Sequence, residues 1–189
     1  MLSFSRNEIK DLLISILVLS LIFCRFDFSI ILMTLFVVVI VFASHEILGH
    51  KLIAQYYGCE AEYKAWPLGL LLGLITSLIP GGIVFAAPGA VYISPFKKKF
   101  AFKIAHLTRK QYAIISLSGP LINIILAVSL LSLNYFYPLE LFVLTAHISF
   151  FLAFFNLLPI PPMDGSKIMS WNLKLWILIT AIAFVGMFI

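Results

Sequence analysis

The chain has 189 residues, 62% of them hydrophobic and 11% charged, with a mean hydropathy of +1.11. A soluble domain is nearer half apolar and a quarter charged, so this composition excludes a water-coated globule and describes a multi-pass membrane protein. The net charge of +5 does not point to nucleic acid, because the basic residues fall between apolar runs rather than in an aromatic-interleaved patch, and no nucleic-acid partner is expected.

Five apolar segments, about 11–28, 29–57, 111–134, 139–158 and 173–189, predict an all-α polytopic fold of about five transmembrane helices in a lipid bilayer. The first follows Arg6 and Lys10 with no small-residue cleavage site after it, so it reads as a retained span. Arg25-Phe26-Asp27-Phe28 turns it into the second, which is long enough for its end, from Lys51 on, to reach the interface. Cys24 and Cys59 flank different segments and are expected as free thiols.

Residues 67–95 are apolar, yet Pro67, Pro80, Gly81, Gly82, Pro88, Gly89 and Pro95 break any helix longer than about a dozen residues. Ile83-Val84-Phe85 and Val91-Tyr92-Ile93 read as strand-like runs around a Pro-Gly turn, so a small re-entrant or interfacial β element is expected. Such backbone is tolerated at membrane depth only where protein or a wet cavity satisfies its polar groups. A basic loop over 96–110, with Lys97-Lys98-Lys99, follows. If 67–95 does not cross, the amino terminus, 51–110 and 159–173 share one face, which carries every lysine and arginine except Arg25. The positive-inside rule makes that face cytoplasmic.

Ionisable residues within spans are costly and mark function. The second span holds Ser44-His45-Glu46-Ile47-Leu48-Gly49-His50-Lys51, and Asn156-Leu157-Leu158-Pro159-Ile160-Pro161-Pro162-Met163-Asp164-Gly165 follows the fourth at the same face. The prolines end the span in an extended segment, and Gly165 permits a sharp turn that aims the Asp164 carboxylate into the bundle. Two imidazoles and a carboxylate supply three zinc ligands and leave a position for water, whose proton a neighbouring glutamate can take.

Together with Ser118-Gly119-Pro120-Leu121-Ile122-Asn123 in the third span, these residues resemble the site-2 protease family of intramembrane zinc metalloproteases, in particular a compact archaeal branch. The resemblance implies a three-helix catalytic core over about 29–170, with 1–28 and 171–189 as peripheral transmembrane segments. It implies one Zn2+ held by His45, His50 and Asp164, with Glu46 as catalytic base and Asn123 and Asn156 as substrate-binding residues. The reaction implied is hydrolysis of transmembrane protein substrates at the cell membrane by a zinc-bound water, aided by a substrate-clamping strand edge within 83–93. His147 reads as structural and His106 as part of the basic loop.

The chain departs from the family's His-Glu-x-x-His pattern, since its histidines are five apart. On a regular α-helix a five-residue step separates side chains by about 140°, against about 40° for four. Either a π-bulge returns positions i and i+5 to one face, or the helix stays regular and Glu46 joins His50 and Asp164 as a ligand, which consumes the base. The departure also leaves open an inactive pseudoprotease that serves as a membrane binding protein. A small transporter is the remaining alternative, against which stands the Pro-Pro-Met-Asp-Gly loop.

Overall fold

The computed structural model describes residues 3–82, 84–94 and 107–189. The Lys97–Lys99 run, Lys103 and His106, and with them most of the expected basic loop, lie outside the described residues.

Helix α1 (Arg6–Phe23) begins earlier than the apolar run suggests, because Ser5 caps it: its Oγ accepts from the Glu8 N–H at 3.0 Å. After a tight turn, α2 (Ile31–Ala43), a π-helical segment (Ser44–Lys51) and α3 (Leu52–Tyr56) follow without a break. They form one 26-residue helix, Ile31–Tyr56. Gly58, at φ +82°, ends it in the left-handed conformation that suits glycine.

The sheet differs from expectation. Strand β2 (Gly89–Ser94) contains the expected Val91-Tyr92-Ile93 run, but Val84 and Phe85 are not in a strand. The antiparallel partner is β1 (Glu60–Ala65), with Tyr63 opposite Val91 and Glu62 opposite Tyr92. Its Glu-Ala-Glu-Tyr-Lys-Ala sequence alternates, so Ala61 and Tyr63 turn inward while Lys64 is exposed. Between the strands the chain enters as α4 (Pro67–Ser77) and returns as an extended segment to β2. Arg25 marks the far end of this excursion, donating to the carbonyls of Ile79 (3.4 Å) and Gly82 (2.9 Å).

Helix α1 is tied to the sheet and to the π-helical segment by carboxylates. Glu8 receives the Lys51 ammonium at 2.5 and 2.6 Å and the Tyr63 N–H at 3.0 Å. Asp11 accepts the Ala65 N–H at 3.1 Å. Lys51 therefore does not emerge at an interface as expected; it is 1% exposed, paired inside the protein. Because Tyr63 and Ala65 point their N–H groups at α1, the alternation of an antiparallel ladder turns the N–H and C=O of their partners Val91 and Gly89 away from β1.

Helix α5 (Arg109–Phe136) starts at a capping box formed by Thr108 and Gln111. It packs between α6 (Glu140–Asn156) and the π-helical segment, with α7 (Asp164–Trp171) against its flank and α8 (Leu173–Gly186) on the outside. Trp176 of α8 donates its indole N–H to the Leu157 carbonyl at 2.8 Å, fixing α8 against the end of α6. The core includes a cluster of α1, α2 and β1 around Leu19, Phe42 and Tyr63, another of α5, α6 and α8 around Phe150, and a third of α2 and α6 around Val41 and Leu152.

Among the described residues, Ile31–Tyr56 and Arg109–Phe136 are individually long and apolar enough to cross a bilayer. The other apolar helices are shorter, 17 residues in α6 and 14 in α8, and α1 carries four charges in its first two turns. The described residues are thus mostly helical with one small sheet.

Candidate metal centre

The five-residue spacing of the histidines is accommodated by the π-helical turns of Ser44–Lys51, whose i→i+5 hydrogen bonds set residues five apart above one another. Of the two arrangements open to the sequence, the chain adopts the bulged one. The His45 and His50 rings stand 4.8 Å apart at 79°. Asp164, in the first turn of α7, completes a group with them whose ligand atoms all lie within 4.8 Å of one another.

Gly165 works differently from expectation. It lies in the α7 helix, and a Cβ there would overlap the Leu157 carbonyl. Its smallness lets α7 seat against the end of α6, and so sets the depth of Asp164. Gly49 and Gly119 do the same for α5: a Cβ on Gly119 would strike Nε2 of His50 and approach Nε2 of His45 at 2.8 Å. Both Nε2 atoms thus converge on a space that exists because position 119 has no side chain.

Hydrogen bonding shows that the space suits a cation. His50 Nδ1 faces the Ile115 carbonyl at 2.8 Å, so Nδ1 carries the hydrogen, and the ring offers a lone pair at Nε2 whenever that atom is deprotonated. That atom meets Asp164 Oδ2 at 3.1 Å, a contact that a proton on Nε2 closes as an ion pair and that a bound cation would close in its place. Among the described residues His45 Nε2 is buried with no partner, as is Glu46 Oε2. Ligands at about 2.0–2.1 Å from a tetrahedral ion sit roughly 3.3 Å apart, close to the His50–Asp164 spacing. This donor set, two imidazoles and one carboxylate with a further carboxylate beside it, fits a divalent zinc-type ion.

Asp164 also receives Lys167, one turn along α7, at 3.1 Å on Oδ1. Burial alone would raise the Asp164 carboxyl, but the adjacent His50, when protonated, and Lys167 outweigh it and hold the group below its ordinary range. Lys167 is visible in the sequence as the i+3 neighbour of Asp164, where its charge counts only toward the basic face. A cavity of about 120 Å³ opens beside the group, lined by Glu46, Asn156, Lys167 and the β2 residues Gly89, Val91 and Ile93 among others.

Each sequence-derived site residue can be placed. His45, Glu46, His50 and Asp164 come together, buried to within 9% exposure. Asn156 borders the cavity while its amide donates to the Leu152 carbonyl at 2.9 Å. Asn123 is fully buried behind His45, its Nδ2 3.0 Å from His45 Nδ1. His147 lies partly buried on α6.

A helical bundle with a buried two-histidine, one-carboxylate site beside a free glutamate defines a metalloprotease-like class. The family model for peptidase family M50 matches residues 136–177, which include Asn156 and Asp164. Over 183 residues the chain is 39% identical to "Putative zinc metalloprotease MJ0611" of Methanocaldococcus jannaschii, covering 93% of this chain and 90% of that protein. It is 30% identical over 149 residues to "Putative zinc metalloprotease YwhC" of Bacillus subtilis, 70% of this chain and 65% of that one. No solved structure matches. The chain belongs to peptidase family M50, the site-2 protease family.

Proposed function

We propose that the protein is an intramembrane zinc metalloprotease that hydrolyses transmembrane protein substrates. The observation that carries this reading is the convergence of His45, His50 and Asp164 on one buried space, with Glu46 beside it. One zinc ion held there would supply the Lewis acidity that activates water and polarises a peptide carbonyl. Glu46, whose Oε2 has no partner, takes the proton of the attacking water and returns it to the departing amine. The two relatives named as zinc metalloproteases support the choice of ion.

A transmembrane helix hides its carbonyls in its own hydrogen bonds, so a substrate must unwind before it can be cut. The backbone groups of Val91 and Gly89 that turn away from β1 face replacement partners in an extended segment laid along β2, and β2 borders the cavity. Asn156, at the same cavity, contacts that segment.

The reading places the chain in the cell membrane as a multi-pass protein of five spans, with a core over about 29–170 and outer segments 1–28 and 171–189. Large apolar side chains exposed on several helices, including Leu17, Leu32, Ile125 and Leu178, support a lipid-facing surface. The lysines and arginines set the amino terminus and the metal site on the cytoplasmic side. The five-residue spacing favoured an inactive relative only on a regular helix; with the π-helical turns it no longer separates the imidazoles.

The test is zinc content and cleavage of a model transmembrane substrate by the wild type and four variants. Glu46→Gln keeps the metal and loses cleavage, while His45→Ala, His50→Ala and Asp164→Ala lose the metal. A His45→Ala variant with full metal, or a zinc-loaded wild type that cleaves none of a varied substrate set, refutes the assignment.

A further inference from the structure

Three residues of α5 spaced four apart, Ile115, Gly119 and Asn123, form one stripe against the π-helical segment. The first holds the His50 ring by its carbonyl, the second leaves room for both Nε2 atoms, and the third meets the His45 ring. We propose that Asn123 is a positioning residue that sets the tautomer of His45, its amide oxygen accepting the Nδ1 hydrogen so that Nε2 offers its lone pair to the metal. The inference rests on the metal-site reading above.

Exposure argues against contact with substrate, since Asn123 has none. Its amide points at His45 Nδ1 from 3.0 Å. With Nδ2 toward the ring, Nδ1 must accept, and Nε2 then bears a hydrogen aimed at His50 and Asp164. Among the described residues Nε2 has no partner for that hydrogen. The two ends of an amide have nearly the same shape, so a half-turn of the side chain exchanges them without moving the fold. After the turn Oδ1 takes the Nδ1 hydrogen, and the Nε2 lone pair joins those of His50 Nε2 and Asp164 Oδ2. His45 is then held as His50 already is, by an acceptor on α5 behind the ring, the arrangement that orients metal-binding imidazoles.

The test uses the full chain in detergent micelles and Zn2+ competed against a chelator. Asn123→Ala weakens zinc binding by about 10–100-fold. Asn123→Asp, which can only accept from Nδ1, keeps wild-type affinity or exceeds it. In the zinc-loaded wild type with 15N-labelled histidine, His45, identified by loss of its signals in His45→Ala, shows a protonated Nδ1 and a metal-bound Nε2. This spectrum decides the matter even if the buried carboxylate of Asn123→Asp prevents folding. Unchanged affinity in Asn123→Ala, or a His45 bound through Nδ1, overturns the proposal while leaving the metal site standing. A wild type that takes up no zinc overturns both.

Discussion

Gly49 and Gly119 cross backbone to backbone, so closely that a Cβ on Gly49 would stand 2.6 Å from the Gly119 Cα. This contact brings α5 against the π-helical segment and puts the metal-facing atoms of both histidines over position 119. Gly119→Ala would fill the donor space itself. Its expected outcome is a folded protein whose zinc affinity falls more than about tenfold, read by chelator competition alongside thermal unfolding. Gly49→Ala acts on the helix crossing instead and costs about 1–3 kcal/mol of stability through overpacking.

Deleting Ile47 shortens the π-helical segment by the one residue that distinguishes it from an α-helix, and leaves the imidazoles four apart on one face. Zinc binding is expected to survive within a few-fold. Inserting an alanine after Ile47 moves the histidines six apart, and zinc binding is expected to disappear. Equal loss in both variants would show that the site needs more than the angular register of the two rings.

The Glu8–Lys51 pair is buried on both sides, each side chain 1% exposed. Truncating one partner strands a charge inside the protein, at about 3–5 kcal/mol. Lys51→Met and Glu8→Gln are each expected to lower the unfolding temperature markedly. The double variant is expected to lose less than the sum, as a double-mutant cycle in micelles would read.

Val91→Pro removes the N–H that turns away from β1 and leaves the β1–β2 ladder its bonds at Ala90 and Tyr92. Cleavage of a transmembrane substrate should drop, chiefly through KM, with zinc content unchanged. Cleavage at the wild-type rate would remove β2 from substrate binding.

Residues whose chemistry is carried by their own type were legible in the chain. His45, Glu46, His50 and Asp164 stand out because charge and imidazole are expensive among apolar neighbours, and the odd spacing pointed to the π-helical turns found at Ser44–Lys51. What escaped depends on partners distant in sequence. Glu60–Ala65 alternates like a strand, but three charges in six residues leave it no apolar run to mark it. Its outer N–H groups are satisfied by Glu8 and Asp11, more than fifty residues earlier in the chain. Gly165 likewise looked like a turn residue, because nothing local shows that the Leu157 carbonyl lies against it.

The tether between α1 and the sheet also orders events during synthesis. Glu8 leaves the ribosome 43 residues before Lys51 and 55 before Tyr63, and Asp11 leaves it 54 before Ala65. Until then the first turns of the chain have carboxylates without their final partners, and water must serve in their place. The amino-terminal end of α1 therefore stays solvated until β1 arrives to take its carboxylates. Helix α1 is thus locked by a strand made after it.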